Sequence, residues 1–409
     1  MQESTTTDTL QFYQRGLGLK KEVQEILKRD YYSEIVELIR TNGYVLKVGD
    51  ITIHLAREFG FCYGVDRAVD YAYQTREKFP DRRIFLTGEI IHNPHVNKRL
   101  IEMGIQFLSG QYSNGTRIED LCPEDVVILP AFGVSVNEFQ RLKKQGCILV
   151  DTTCGSVLNV WKRVDYYAQH GYTSIIHGKY YHEETIATSS QALKYPDGKY
   201  LIVLNMHEAE MVCDYILRGG NKEAFMRHFA RALSPNFDPD RDLQKIGLAN
   251  QTTMLSSESL AIAERLKQAM IQKYGEENLE DHFLSFDTIC SATQDRQDAV
   301  LELVKQQRID LMLVIGGFNS SNTNHLAKIA SQYTTAYHID DPGCILNKHQ
   351  IRYKIIGSDE ITIKENWLPP GKVKIGITAG ASTPNNKIGE TIERILACRD
   401  YKLESILES

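Results

Sequence analysis

The stretch Asp151-Thr152-Thr153-Cys154-Gly155-Ser156 has a near-copy later in the chain, Asp287-Thr288-Ile289-Cys290-Ser291-Ala292. A looser version, Glu58-Phe59-Gly60-Phe61-Cys62-Tyr63-Gly64, also has an acidic residue shortly before the cysteine. Each cysteine closes an apolar run and opens a helical pattern, which predicts a strand-to-helix turn. Backbone N–H groups and the helix dipole favour thiolate over thiol there. Three such cysteines predict one central metal site with one ligand from each of three repeats.

Six more polar turns follow the same pattern of apolar run, turn and amphipathic helix. They are Gly88–Pro94, His177–Glu184, Gly316–Asn322, Pro130–Ser135, Asn250–Ser256 and Thr378–Pro384. Nine turns in three groups predict an α/β fold of three small units in pseudo-threefold arrangement. Ligands of open α/β sheets bind beyond the carboxyl ends of the strands, so all nine turns are expected to face a shared centre.

The repeats divide the chain into five predicted segments. They are an N-terminal helical extension (1–50), repeat 1 with Cys62 (51–146), repeat 2 with Cys154 (147–280), repeat 3 with Cys290 (281–390) and a C-terminal tail (391–409). The extension shows apolar spacing over residues 8–45 that predicts one or two amphipathic helices. Repeat 2 is the longest, and we ascribe its extra length to the polar stretch Arg218–Gln244.

The composition narrows the class of protein. The chain has 409 residues, of which 42% are hydrophobic and 24% charged, with a formal net charge of −6. These values are typical of a globular protein of several modules and give no support for a nucleic-acid or membrane-surface role. No apolar run approaches the roughly 18–20 residues that span a bilayer. Residues 1–5 lack a signal core and an Arg-rich transit pattern, so we expect a reducing cytoplasm, where cysteines indicate metal binding or catalysis.

Three interpretations are open for the repeated cysteines, Cys62, Cys154 and Cys290. A structural zinc site would need a fourth ligand. A [4Fe–4S] cluster with three cysteine ligands keeps one iron open to substrate, and that iron can act as a Lewis acid or redox catalyst. Alternatively, the cysteines are small buried residues at tight turns. Because they share a context that the other five cysteines lack, we favour ligation.

The other turns carry neutral hydrogen-bond donors at predicted helix starts. Hydroxyl, amide, imidazole and backbone N–H groups in this setting can hold a phosphate or diphosphate. The alternative is helix capping, for which Ser, Thr and Asn are preferred in any protein. Three consecutive polar residues, Ser320-Ser321-Asn322, follow Gly316-Gly317 and favour binding. In His182-Glu183-Glu184, a carboxyl group near a metal could deliver a proton, whereas the alternative is a solvated acid pair at a helix start.

Taken together, these motifs resemble the 4-hydroxy-3-methylbut-2-enyl diphosphate reductase family. The resemblance runs in order from about residue 50 to 390. It rests on Phe61–Ala68, His92-Asn93, Asp151–Cys154, His182–Glu184, Gln251–Thr253, Cys290–Gln297, Asn319–Asn324 and Ala379–Pro384. The resemblance implies three α/β units around an Fe–S cluster. It also implies a reaction in which two electrons and protons remove the allylic hydroxyl as water, giving isopentenyl and dimethylallyl diphosphate.

The resemblance also assigns roles to individual residues. It implies that Cys62, Cys154 and Cys290 ligate the [4Fe–4S] cluster. Glu184 would be the proton-delivering acid, with Thr253 or Thr252 near the substrate hydroxyl. The diphosphate would be bound by His92, His182, Ser320, Ser321, Asn322 and Ser382. His177 has no firm counterpart in the family and is a candidate for the layer of residues behind those that contact the cluster and substrate.

The chain departs from the pattern of the family at one position and in its terminal segments. Many bacterial members have a histidine where this chain has Phe132, so another group must compensate for that donor. The extension and tail resemble the cyanobacterial and plastid branch, and without a transit peptide the cytoplasmic cyanobacterial type fits better. That branch implies reduced ferredoxin as electron donor, while a homodimer remains open.

Three alternative functions remain open from the sequence. They are a redox-neutral Fe–S hydro-lyase, a non-catalytic Fe–S sensor or carrier, and a zinc protein.

Overall fold

The protein is described from a computed structural model, which covers residues 11–286 and 288–402. Its strands are β1 (Phe12–Tyr13), β2 (Val45–Val48), β3 (Ile51–Leu55), β4 (Ile84–Leu86), β5 (Ile105–Phe107), β6 (Val126–Leu129), β7 (Ile148–Asp151), β8 (Thr173–His177), β9 (Tyr200–Val203), β10 (Ile246–Asn250), β11 (Phe283–Ser285), β12 (Leu311–Ile315), β13 (Thr335–Ile339), β14 (Gln350–Lys354), β15 (Ile361–Glu365) and β16 (Val373–Ala379).

The helices alternate with these strands along most of the chain. They are α1 (Lys20–Tyr31), α2 (Glu34–Thr41), α3 (Tyr63–Lys78), α4 (Pro94–Glu102), α5 (Val136–Gln145), α6 (Gly155–Gln169), α7 (Glu183–Ala192), α8 (Met206–Arg218), α9 (Lys222–His228), α10 (Pro239–Asp242), α11 (Ser256–Tyr274), α12 (Leu279–His282), α13 (Ser291–Gln306), α14 (Ser321–Ser331) and α15 (Asn385–Ala397). None of the described helices is long and apolar enough to cross a bilayer.

The strands form three sheets. Sheet I has the order β1-β7-β6-β4-β5, sheet II the order β11-β10-β8-β9, and sheet III the order β15-β14-β13-β12-β16-β3-β2. All neighbours in sheets I and II are parallel. Sheet III is parallel from β13 to β3 and ends in antiparallel strands at both edges. The predicted α/β class with three parallel-sheet units is therefore confirmed.

The chain divides into two compact units. Unit 1 comprises residues 1–16, 79–90 and 104–290 and holds sheets I and II, whereas unit 2 comprises residues 17–78, 91–103 and 291–409 and holds sheet III. Each strand that precedes a candidate ligand cysteine lies in a sheet formed mainly by another predicted repeat. The strand before Cys62 pairs in sheet III, the one before Cys154 in sheet I and the one before Cys290 in sheet II. The predicted segment boundaries remain a prediction. Each sheet contains strands from more than one predicted segment.

The central strands form because they are apolar on both faces. All residues of β6 and β12 are buried, as expected for parallel strands covered by helices on both sides. Within unit 2, the N-terminal extension is part of the core, since Ile35 and Ile39 of α2 pack in one cluster with Ile53 and Ile377. The first residues of the predicted tail complete α15. Residues 1–10 and 403–409 of the extension and tail lie outside the described part of the chain.

The predicted insertion Arg218–Gln244 folds onto sheet II. It contributes α9 and α10. Phe225 and Phe229 of this stretch are buried in the same apolar cluster as Leu201 of β9 and Leu248 of β10. Burial of aromatic side chains is the main source of stability for such a segment. The insertion is therefore an integral layer of unit 1.

Candidate functional site

All nine predicted turns lie between a strand and the helix that follows it. The third turn of each repeat is Pro130–Ser135, Asn250–Ser256 or Thr378–Pro384. These turns follow β6, β10 and β16 and precede α5, α11 and α15. Helix N-termini offer unpaired N–H groups and the positive end of the helix dipole. The candidate residues therefore lie where the sequence placed them, at the carboxyl ends of parallel strands.

The three candidate ligand cysteines share one backbone setting. Each is a partly exposed thiol that forms no disulfide and lies immediately before helix α3, α6 or α13. The amide of Cys62 donates to the Ala381 carbonyl at 3.1 Å, that of Cys154 to Ala131 at 3.0 Å and that of Cys290 to Thr252 at 3.5 Å. Each acceptor lies in a third turn, so the three cysteine turns are equivalent in hydrogen bonding as well as in sequence.

The other cysteines lie in different surroundings. Cys147, Cys213 and Cys344 are buried, and burial raises the pKa of the first two to about 11. Cys122 is only partly buried, but its thiol donates to Asp125 at 3.3 Å. A thiol with a raised pKa is a poor source of the thiolate that binds metal. Burial thus separates Cys147, Cys213 and Cys344 from the three ligand candidates.

Glu184 is a buried acid of unit 1 whose two carboxylate oxygens both accept hydrogen bonds. Its side chain is 1% exposed, in the first turn of α7. One carboxylate oxygen accepts the backbone N–H of Thr252 at 2.5 Å, and the other accepts the Thr252 hydroxyl at 3.0 Å. By contrast, the neighbouring Glu183 side chain is 54% exposed. The two adjacent acids therefore have different surroundings, and only Glu184 is fixed in a dry site.

His182 caps the helix that carries Glu184. Its Nδ1 accepts the backbone N–H of Glu184 at 3.1 Å. An imidazole nitrogen that accepts is unprotonated, so the neutral ring carries its proton on Nε2 and is a hydrogen-bond donor there. Phe132 packs edge-to-face on this ring, with centroids 5.5 Å apart. The residue that replaces the expected histidine therefore supports His182 by packing.

Gln251 organises the turn around Thr252, a role that its motif, Gln251–Thr253, does not reveal. It is fully buried. Its amide oxygen accepts from the Lys179 backbone at 3.1 Å and the Thr185 hydroxyl at 3.2 Å. Its amide nitrogen donates to the Thr253 hydroxyl at 2.9 Å. Of the two threonine candidates, Thr252 contacts Glu184 and Thr253 contacts this glutamine.

His177 lies at the end of β8 rather than among the acid and its partners. It is buried, and its Nδ1 is 2.7 Å from the Ser259 hydroxyl of α11. This contact joins a strand end to a helix. Its candidacy for the surrounding shell remains a prediction.

Unit 2 collects five of the six predicted diphosphate ligands. The Asn319 amide nitrogen is 3.4 Å from His92 Nδ1, and the Ser382 hydroxyl donates to the His92 carbonyl at 3.2 Å. Gly317 makes this approach feasible, because a Cβ there would lie 2.5 Å from the His92 carbonyl oxygen. The His92, Ser382 and Gly316–Asn322 turns are thus in direct contact.

At the start of α14, one residue caps the helix and another offers a buried hydrogen-bond donor. Ser320 is the N-cap and accepts the Thr323 N–H at 3.3 Å, so the capping interpretation holds for this residue. Asn322 is 2% exposed, and its amide oxygen accepts from Ala381 at 2.9 Å. Its buried amide nitrogen has no hydrogen-bond partner among the described residues. A buried unpaired donor is costly, which points to an anionic or other acceptor ligand.

Arg296 fixes the Cys62 turn from within unit 2. Its guanidinium group is buried and donates twice to the Gly60 carbonyl, at 2.7 and 3.2 Å. The sequence shows this arginine within the Cys290–Gln297 motif but gives no sign of its partner. Only the fold brings the two together, across a long interval of chain. Arg296 therefore has a structural role in presenting Cys62.

Comparisons with known proteins agree on one family. The model of the LytB protein family matches residues 53–396. The 4-hydroxy-3-methylbut-2-enyl diphosphate reductase of Thermosynechococcus vestitus is 52% identical over 390 residues, with 95% of each chain covered. The reductase of the same name from Nostoc sp. is 50% identical over 404 residues, with 98% of each chain covered.

Solved structures give the same result. An (E)-4-hydroxy-3-methyl-but-2-enyl diphosphate reductase, described as the terminal enzyme of the non-mevalonate pathway, matches with a TM-score of 0.51 and 25% identity, covering 84% of this chain and 99% of the other. The E-1-hydroxy-2-methyl-but-2-enyl-4-diphosphate reductase from Plasmodium falciparum matches with a TM-score of 0.61 and 23% identity, covering 85% and 89%. The second match shows likeness of fold alone.

Proposed function

The chain belongs to the LytB protein family, and we propose that it reduces (E)-4-hydroxy-3-methylbut-2-enyl diphosphate to isopentenyl diphosphate and dimethylallyl diphosphate. In this reaction two electrons and two protons break the allylic C–O bond, and the oxygen leaves as water. The resemblance inferred from the motifs is confirmed at family level. The observation that carries the chemistry is the buried Glu184 carboxylate, held at both oxygens by Thr252.

We propose Cys62, Cys154 and Cys290 as the ligands of a [4Fe–4S] cluster. Three thiols that form no disulfide and lie at equivalent helix N-termini fit a cluster that needs three thiolates and keeps one iron open. When bound, the cluster supplies a Lewis acid for the allylic oxygen and a path for electrons. Zinc is less well matched, because the repeat provides three equivalent thiolates and no fourth ligand.

Glu184 has the surroundings of a proton donor. In a dry site its carboxyl group can hold a proton for the reaction without competition from water. The Thr252 hydroxyl can donate to the carboxylate or accept from the protonated acid, so this contact can persist through proton transfer. The Thr252 N–H meanwhile keeps one oxygen in place. Thr252 therefore positions the acid, and Thr253 is the second candidate near the substrate hydroxyl.

We assign binding of the diphosphate to uncharged side chains that donate hydrogen bonds. His92, Ser320, Ser321, Asn322 and Ser382 provide them in unit 2, and His182 provides an Nε2–H in unit 1. The N-terminus of α14 adds the helix dipole and its first N–H groups. Neutral donors bind a diphosphate without neutralising it, which suits release of a charged product. Phe132 compensates for the absent histidine by fixing the ring of His182.

Product analysis in D₂O tests the proposal. With anaerobically purified enzyme, a reduced dye and the hydroxy-allylic diphosphate, we expect both isoprenyl diphosphates, each with one solvent deuterium on carbon. A hydro-lyase would release water without consuming the dye. Dye-independent turnover, or dye consumption without either product, would overturn the proposed function.

The electron donor is proposed as reduced ferredoxin, by analogy with the cyanobacterial branch. The two curated relatives described above come from cyanobacteria. Substrate-dependent oxidation of reduced cyanobacterial ferredoxin, at a rate comparable to the dye, is the expected result. A rate no higher than that without enzyme would remove ferredoxin as the donor.

A further inference from the structure

The end of helix α1 carries two residues that reach towards the candidate turns of unit 2. These are Asp30 and Tyr31, here called the Asp30–Tyr31 pair. They belong to the predicted N-terminal extension, to which the reaction assigns no role. Tyr31 is 8% exposed, whereas the next residue, Tyr32, is 41% exposed. The two adjacent tyrosines therefore differ sharply in how they pack.

The Tyr31 ring contacts the surroundings of two candidate turns. Its centroid lies 5.6 Å from that of Phe61, the residue before Cys62. It also lies 6.2 Å from the ring of His95, with the planes at 86°. His95 is in the first turn of α4, directly after the His92 turn. One aromatic ring thus packs against the flanks of both the Cys62 and His92 turns.

Asp30 links the same region through hydrogen bonds. One of its carboxylate oxygens accepts from Arg99 of α4 at 2.8 Å and from the Tyr73 hydroxyl of α3 at 2.8 Å. The Tyr73 and Tyr31 hydroxyl oxygens are 3.0 Å apart. A phenol has one proton, so Tyr73 donates to the carboxylate and Tyr31 donates to Tyr73. The resulting chain joins the Asp30–Tyr31 pair to the helices that follow Cys62 and His92.

A third connection reaches the Ser382 turn. The backbone carbonyl of Asp30 accepts from the amide of Asn386 at 2.9 Å. Asn386 is in the first turn of α15, which begins directly after the Ser382 turn. The carboxylate of Asp30 is ionised in this setting. Burial works to raise its pKa, but hydrogen bonds from Arg99 and Tyr73 lower the pKa below the ordinary value.

We propose that the Asp30–Tyr31 pair positions the Cys62, His92 and Ser382 turns relative to one another within unit 2. The pair contacts all three helices that begin at those turns, and the turns are themselves joined by short hydrogen bonds. The functional meaning of this positioning rests on the proposed function, which assigns a metal ligand to one turn and diphosphate ligands to the other two. The pair acts through the three turns, so its residues are positioning residues.

Two backbone hydrogen bonds report the positions of the turns. The Cys62 N–H donates to Ala381 at 3.1 Å, which joins the Cys62 and Ser382 turns. The Asn97 N–H donates to Asn93 at 3.1 Å, which closes the first turn of α4. Loss of either bond would speed exchange of that amide with deuterated solvent. Hydrogen exchange therefore reads the positions of the turns without any need for turnover.

The test compares Tyr31→Leu with the matched control Tyr32→Leu in the full-length holoenzyme. In Tyr31→Leu we expect the Cys62 and Asn97 amides to exchange about tenfold faster, because the aromatic contacts with Phe61, Tyr73 and His95 are lost. The KM for the hydroxy-allylic diphosphate should rise more than kcat falls. Tyr32→Leu should match the wild type in both readouts. Tyr31→Phe keeps the ring and should restore slow exchange at Cys62.

The outcomes separate this inference from the proposed function. Faster exchange confined to α1 in Tyr31→Leu, with both reporter amides and KM unchanged, would show that the pair only anchors the extension. If Tyr31→Leu does not fold, Asp30→Asn offers the same comparison with milder packing loss, and unchanged reporter amides there would equally overturn the inference. Failure of the wild type to reduce the substrate would contradict the proposed function while leaving the exchange result valid.

Discussion

Glu184→Gln removes the proposed acid while keeping its place in the structure. Glutamine is nearly isosteric, and its amide oxygen can accept the Thr252 N–H that now lies 2.5 Å from the carboxylate. The Thr252 hydroxyl can rotate to accept from the glutamine amide nitrogen. We therefore expect the buried contact to survive, with a loss of stability of roughly 1–2 kcal/mol from replacing charge-assisted hydrogen bonds by neutral ones.

The expected effect on catalysis is much larger. A positioned general acid contributes about 10²- to 10⁴-fold to a rate, which corresponds to ~2.7–5.4 kcal/mol of activation free energy. Steady-state oxidation of a reduced dye should show kcat lowered by that factor, while the KM for the diphosphate stays within about threefold because the diphosphate donors are untouched. Iron content should equal that of the wild type.

Glu183→Gln is the matched control. Glu183 precedes Glu184, but its side chain is 54% exposed, and its carboxylate lies 3.9 Å from Nδ1 of the neighbouring His182. Its substitution should leave kcat within about twofold, as expected for an exposed surface position. If Glu184→Gln retained the wild-type kcat, or if both variants lost activity equally, the acid role of Glu184 would be wrong.

Four further substitutions test the remaining assignments. Thr252→Val keeps the backbone N–H but removes the hydroxyl, so kcat should fall about tenfold, less than in Glu184→Gln, and an unchanged kcat would contradict the positioning role. His182→Asn retains a strong helix cap but loses the Nε2–H donor, so KM should rise about tenfold while the far-UV circular dichroism stays constant. Asn322→Asp replaces a buried donor by a negative charge and should raise KM about 100-fold, and tight binding in this variant would exclude Asn322 from the diphosphate site. Serine substitution of any proposed ligand should strongly lower iron content relative to the buried control Cys213→Ser, and equal iron in all variants would refute the ligand set, Cys62, Cys154 and Cys290.

The strand-to-helix turns could be predicted from the sequence because their signals are local. Strands β6 and β12 are unbroken apolar runs, and each is followed by small or polar residues and then by helical periodicity. The same signals located Glu184 and the Ser320–Asn322 stretch at helix starts. Such patterns require no knowledge of which strand pairs with which.

Long-range pairing could not be predicted in the same way. The strands before the three cysteines join sheets formed mainly by other repeats, because parallel pairing depends on crossover connections rather than on composition. The β14–β15 hairpin was also missed, since β15 is largely exposed and shows no clear apolar alternation. The Glu184–Thr252 contact and the Asp30–Tyr31 pair each depend on residues far apart in the chain. Asp30 in particular looks like an ordinary surface acid in the sequence.

The most direct test of the account is the iron and sulfide content of the anaerobically purified protein, followed by addition of substrate to a sample containing reduced dye. We expect a brown protein with about four irons per chain that oxidises the dye only when the hydroxy-allylic diphosphate is present. A colourless protein that reconstitutes no cluster, or a brown protein that leaves the dye reduced in the presence of substrate, would contradict the proposed reductase.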